Sequence, residues 1–249
     1  TNVVIGGSTA SAGNVVSGNN TGLWIGTAPN IRIENNLIGL DATASGFLPN
    51  SGDAGIALYG TLNAAVLDND ISGNTALGGI FSASGTTGSL IQDNAFTANS
   101  SAAIVFHSST GNGNTIKSNS IFDNGGLGID LNWDGVTAND ALDADSGPNG
   151  LQNYPTLLVA FNGSGQTTVN FDVLSAPGVV FDIELFSSPA CDPSGFGEGQ
   201  TWRHSATLPA TDGAGLLSTS VMFPAVPVGH FVTATLTDPS GNTSEFSSC

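Results

Sequence analysis

Asp140, Asp143, Asp145 and Asn149 place four oxygen-bearing side chains within ten residues of the chain. Hard divalent cations take several oxygen ligands from a flexible loop, and clustered carboxylates need a cation to relieve their mutual repulsion. Asp143-Ala-Asp145-Ser-Gly147 has the spacing of a D-x-D-x-G calcium loop, with Gly147 permitting a tight turn. No glutamate follows at the closing position of an EF-hand. The expectation is a structural calcium at these four residues; the plain alternative is a solvated acidic linker.

Other residues that could do chemistry are sparse. A glycoside hydrolase needs two carboxylates about 5–10 Å apart. Asp68 and Asp93 would stack in one column if the 25-residue repeat described below holds, beside Asp70 and Glu34. Repeat symmetry accounts for that pairing without catalysis. A uronate lyase needs a basic residue beside metal-binding carboxylates, and Arg32 and Lys117 fall in different columns, three repeats apart. His107, His204 and His230 lie far apart, without metal-ligand spacing, and no G-x-S-x-G elbow occurs. Trp24, Tyr59 and Phe81 recur at or near outward positions of one strand motif and form a candidate sugar-stacking stripe, with rim packing as the alternative.

Cys191 and Cys249 are the only two cysteines, 58 residues apart in the C-terminal half. Paired count and the compositional signs of secretion predict a disulfide. Closing a loop of that length contributes about 4 kcal/mol in the chain-entropy model.

Charge closes off whole classes of partner. Three Lys and Arg against 20 Asp and Glu leave a net charge of −17. No basic patch for phosphate backbones can be assembled, so nucleic acid is excluded as a partner, as is electrostatic attachment to anionic lipid. No apolar run approaches the roughly 20 residues that cross a bilayer, so membrane insertion is not expected. Only 9% of residues are charged, Gly is abundant and 39% are hydrophobic, which fits many short strands joined by polar turns.

A repeat positions these residues. Asn, any residue, an apolar residue, two residues and Asn again occur at Asn14–Asn19, Asn69–Asn74, Asn94–Asn99 and Asn119–Asn124. A fifth copy, Asn36-Leu-Ile38-Gly-Leu-Asp41, carries Asp in the second place. The last three copies are 25 residues apart, and each period holds about three short strands with alternating apolar residues. A period in the twenties with several strands, no helix and asparagine at the turns describes a parallel β-helix rung. Asparagine tolerates left-handed backbone at sharp corners, and its amide can bond the same residue one rung away. Between Asn36 and Asn69 the spacing grows to 33, and the excess near residues 41–53 reads as a loop.

Residues 1–153 resemble the parallel β-helix repeats of large bacterial secreted and surface proteins. Asn119-Ser-Ile-Phe-Asp-Asn-Gly-Gly-Leu-Gly-Ile-Asp-Leu131 is similar to their final rung, followed by an acidic stretch such as Asn139–Asn149 and a sandwich ending near Asp238–Phe246. From Tyr154 the period disappears, and alternating stretches at 168–173, 179–186, 215–221 and 230–237 suggest a sandwich of about seven strands. A Gly/Pro-rich loop at 187–202 carries Cys191.

The fold expected is all-β: a right-handed parallel β-helix with its acidic linker over 1–153, then an immunoglobulin-like sandwich over 154–249. With no catalytic constellation in the sequence, the expectation is a secreted or cell-surface structural or adhesive module without catalysis, whose partners are carbohydrate or copies of itself. A filament built head to tail would have the first rung accept a strand from a neighbour's sandwich. A carbohydrate-active β-helix enzyme is the alternative.

Overall fold

The computed structural model describes residues 3–249. Fifteen short strands wind into three parallel five-stranded sheets. Sheet A holds β1 (Val4–Gly6), β4 (Arg32–Glu34), β7 (Ala65–Leu67), β10 (Leu90–Gln92) and β13 (Thr115–Lys117). Sheet B holds β2 (Val15–Val16), β5 (Leu37–Ile38), β8 (Asp70–Ser72), β11 (Ala95–Thr97) and β14 (Ser120–Phe122). Sheet C holds β3 (Leu23–Gly26), β6 (Ala54–Tyr59), β9 (Gly78–Ala83), β12 (Ile104–His107) and β15 (Ile129–Asn132).

The alternation seen in the sequence decides which residues meet. In sheet A, Ile5, Ile33, Val66, Ile91 and Ile116 pair in register and point inward. Val16, Ile38, Ile71, Phe96 and Ile121 do the same in sheet B. Sheet C turns two files inward, Leu23-Ile56-Ile80-Ile104-Ile129 and Ile25-Leu58-Ser82-Phe106-Leu131. Each fully buried aliphatic side chain contributes about 1.5–3 kcal/mol relative to exposure, so the core is a stack of identical small contributions.

Asparagines hold the corners between sheets. Each N–H and Nδ2 of Asn36, Asn69 and Asn94 donates to the Oδ1 of its counterpart one rung on, at 2.9–3.0 Å. The corner residue just before each ladder member, Asn35, Asp68, Asp93 or Ser118, takes a left-handed φ of 54–56°. That is why Asp68 and Asp93 stack: they are turn formers, as repeat symmetry predicts. A second ladder joins Asn19, Asn50, Asn74, Asn99 and Asn124. Its second rung is filled by Asn50 and not by Asp41, which corrects the fifth copy of the motif. The insertion falls between the strand and its ladder residue, so counting five positions lands inside the loop. Residues 40–48 form a small hairpin closed by Leu40 and Phe47, with Leu48 packed over Gly18 and Phe47 over Gly73.

Six antiparallel strands follow in two three-stranded sheets. One has the order β16 (Thr156–Gly163), β17 (Gln166–Leu174), β20 (Leu216–Pro224); the other β19 (Thr201–Thr207), β18 (Asp182–Ser188), β21 (Phe231–Thr237). Their facing residues, among them Phe171, Phe181, Leu185 and Leu236, make a second core. The expected count of about seven strands falls to six among the described residues. Segments 189–200 and 243–248 contribute only isolated bridges, because both detour to cover the end of the β-helix.

That cover is specific. Phe186 and Phe246 extend the helix core. Glu184 accepts from the N–H of Ser118 (2.7 Å). Glu198 accepts from the N–H and Nδ2 of Asn124 (3.2 and 2.8 Å), standing where the next ladder asparagine would stand. Glu245 accepts from the N–H groups of Leu131 and Thr137 (2.8 and 2.9 Å). The open edge of the last rung is thus satisfied by acceptors from the two antiparallel sheets and their loops.

Candidate functional site

Rings line the outer face of sheet C. The file Trp24, Ala57, Phe81, Val105, Asp130 faces outward beside a file with Gly26, Tyr59 and Ala83, continued by His107 and Asn132. Large and small residues alternate between the files, so each ring lies over a small neighbour: a Cβ on Gly26 would meet the Trp24 ring at 2.6 Å. Trp24 stacks on Tyr59 (centroids 5.7 Å), Tyr59 meets Phe81 (6.0 Å), and Phe81 meets His107 (6.0 Å). Asn132 and Trp133 both take left-handed backbone, and Trp133 folds back edge-on to Phe81 (5.7 Å) and beside His107 (6.1 Å).

The rings therefore span four of the five rungs, from Trp24 to His107, about 14 Å at the usual interstrand spacing. The stripe's ends are open and its middle is shielded: Trp24 is 62% exposed and Trp133 48%, whereas Phe81 is 5%. Of the three aromatics read from sequence as contacts, Trp24 and Tyr59 keep accessible surface. Phe81 faces outward as expected but is covered by its neighbours, so it supports the stripe and offers no contact face. Trp133 and His107 were not legible as members. Trp133 follows the last strand and reaches back only through its two left-handed residues. His107 lies two positions beyond Val105 in the same strand, which is the signal that could have found it.

The acidic linker brings together three of its four expected ligands. One oxygen from each of Asp140, Asp143 and Asp145 lies within 4.8 Å of the others. Asn149 does not join them. It is fully buried, its Oδ1 accepts from the Asn114 N–H (3.0 Å), and its Nδ2 donates to the carbonyls of Asn114 and Thr243. The spacing was right for a ligand, but the residue continues a ladder at the end of the helix. Asp143 is anchored by the Asn153 N–H, Gln152 Nε2 and Ser175 Oγ. Burial, then the neighbouring aspartates, raises the carboxyls of Asp143 and Asp145 above their ordinary range.

Cys191 and Cys249 form the expected disulfide, with Cα atoms 6.0 Å apart. It ties the 189–200 segment, which carries Glu198, to the C-terminal residue. Between that segment and the last rung lies a cavity of about 430 Å³ lined by Phe122, Asp123, Asp192 and Glu198 among others. Burial pushes Glu198 up to about 7, helped by Asp192 and Asp123. Both its oxygens are taken by Asn124, so its geometry is that of a cap and not of a proton donor facing a substrate. Arg32 pairs with Glu34 on its own strand, and Lys117 stands three strands away in the Glu34 column, as the repeat predicted.

An all-β winding of about five parallel rungs with ladder corners defines a β-solenoid. The chain belongs to the right-handed β-helix region family, whose model matches residues 2–141. No curated protein matches it significantly. Among solved structures, the enzymatically active domain of tailspike protein 2 of bacteriophage CBA120 is similar at 10% identity, over 94% of this chain and 49% of that one, with a TM-score of 0.17. The chain spans about half the length of that structure, and a score so low bears on neither architecture nor activity. No helix among the described residues is long and apolar enough to cross a membrane. The disulfide and the β-helix fit an extracellular protein.

Proposed function

We propose that the chain is a secreted or cell-surface adhesive module that binds carbohydrate without turning it over, along the outer face of sheet C. The observation that carries this reading is the ring stripe from Trp24 to Trp133, packed ring against ring with both tryptophans exposed. Aromatic rings present apolar faces to the C–H faces of sugars, and a stiff platform loses little entropy when a glycan docks. The antiparallel unit from about residue 154 is an immunoglobulin-like sandwich whose local task is to cap the helix. The Asp140–Asp143–Asp145 cluster holds a structural calcium beside that junction.

Titration of a soluble glycan panel tests the reading. Trp24→Ala and Trp133→Ala should each weaken binding about tenfold, the loss of roughly 1.4 kcal/mol of ring contact. Binding that survives both substitutions together would end it. Release of reducing ends from a bound glycan would instead establish the carbohydrate-active enzyme. Self-association is a separate part of the proposal. The last rung is covered, so a head-to-tail contact would use an edge strand of the antiparallel sheets such as β16, whose residues carry no charge. Sedimentation of the native protein as a strict monomer at high concentration would remove it.

A further inference from the structure

Resting on that reading, we infer that the sheet C stripe is built for a polymer of protonated amino sugars, and selects against acidic glycans. The argument is charge complementarity along the stripe. All three Lys and Arg residues of the chain lie elsewhere: Arg32 and Lys117 on sheet A, Arg203 on β19. Acidic groups, by contrast, stand at both open ends. Asp53 lies beside Tyr59, close enough that its charge adds to burial in raising that phenol, and it accepts a hydrogen bond from Thr21, three residues before Trp24. Asp134 follows Trp133 directly and is exposed, its carboxylate held by Asn132 Nδ2 at 2.7 Å. A carboxylate thus stands beside Tyr59, the ring on which Trp24 stacks, and another follows Trp133 in the chain, the pairing that favours a ring-bound ammonium group through cation–π attraction and direct ion pairing. A polyuronate would meet carboxylates with no compensating cation, inside a chain of net charge −17. A neutral sugar would gain the ring contact but leave the carboxylates unused.

The test compares glucosamine oligomers with their fully N-acetylated counterparts of equal length, and with a polyuronate and a lysine-rich peptide, at mildly acid pH where sugar amines are protonated. Calorimetry on the intact protein should give about tenfold tighter binding of the free amine form, the size expected of a cation–π contact strengthened by a carboxylate. That preference should shrink with added salt, and Asp53→Asn and Asp134→Asn should each reduce the ratio of the two affinities. Melting curves confirm that the variants fold, since both carboxylates lie at least partly in solvent. Equal affinity for amine and acetylated oligomers overturns this inference and leaves carbohydrate binding standing. No binding of either oligomer or of the polyuronate overturns both. Binding of the polyuronate, or of the lysine-rich peptide as tightly as the amino sugar, overturns the inference by showing that the stripe recognises something other than a cationic sugar.

Discussion

The middle of the β-helix and its C-terminal end solve one hydrogen-bonding problem with different residues. Inside the ladders each asparagine both donates and accepts, so the pattern passes unchanged from rung to rung. At the last rung the donors of Asn124, Ser118 and Leu131 have no following rung to receive them, so acceptors must come from elsewhere. Glu198, Glu184 and Glu245 supply them through their carboxyl oxygens, and the ladder stops there. The chain has four glutamates, and these three are used there. A relay wants an amide, and a terminus tolerates a carboxylate.

Swapping the two chemistries gives the largest expected effect. Asn99→Asp would set carboxylate oxygens against the Ile71 carbonyl and the Asn124 Oδ1, both of which now accept a hydrogen bond from Asn99 Nδ2. An unpaired charge fully inside the stack should cost about 3–5 kcal/mol in chemical denaturation. Glu198→Gln at the end should cost about 1–2 kcal/mol or less, since one of two acceptors survives. Similar losses for the two would erase the distinction between relay and terminus.

The same comparison predicts where the molecule titrates. The amide ladders do not, but burial raises Glu198 from 4.5 to about 7 and Glu245 from 4.5 to about 8. The folded chain holds protons that the unfolded chain gives up near 4.5. The stabilisation is therefore complete below pH 4.5 and is lost as pH rises through 7 to 8, by an amount on the order of a few kcal/mol. Glu198→Gln should flatten that decline and cross above the parent protein at high pH. A parent stability that climbs between pH 5 and 8 would contradict the assignment.

Reducing the disulfide sharpens the comparison from another side. It should cost about 2–4 kcal/mol. Because Cys191 anchors the segment that carries Glu198, exchange of the last-rung amides of Asn124 and Ile121 should accelerate more than that of Asn69 or Asn94. Uniform acceleration along the helix would mean that the cap and the rungs unfold as one unit.

How much of this was legible follows from the reach of each interaction. The rungs, their period and the inward files were, because from Asn69 onward the contacts repeat at a separation of 25 residues and the copies vote for the same pattern. Asn50 was not, since an insertion before it broke the count. The carboxylate caps were not, because Glu184, Glu198 and Glu245 meet partners 66, 74 and 114 residues away with no second copy to reveal the pattern. Rarity was the available signal, in that glutamate is scarce in this chain and three of four copies lie in the non-repeating half. The disulfide was readable from the paired count and the compositional signs of secretion. Strands β16 and β19 escaped because edge strands with exposed outer faces lack a clean alternation, as in Thr156-Leu-Leu-Val-Ala-Phe161.

The smallest expected effect concerns the acidic linker, where Asn149 and the three aspartates parted ways. Asn149 went to the ladder because its amide can both donate and accept, which that position requires. The aspartates collected outside, where three carboxyls converge with Asp140 and Asp145 only lightly held by the protein. Asp143 is already bonded by three donors, so it orients the cluster while the other two keep lone pairs free for a cation. Millimolar calcium should raise the melting temperature, by a stabilisation of about 1.4 kcal/mol at ten times the dissociation constant. Protons compete for the same oxygens, and burial raises Asp143 and Asp145, so the calcium shift should grow as the pH rises from acid towards neutral. Asp145→Asn should abolish the shift with little change in stability without calcium, since Asp145 is exposed. Asn149→Asp should leave calcium binding unimproved while destabilising the fold strongly, because it would break the donation to Asn114 and Thr243. A calcium shift that disappears in Asn149→Leu but survives in Asp145→Asn would reverse these assignments, returning Asn149 to the cation and the aspartate to the solvent.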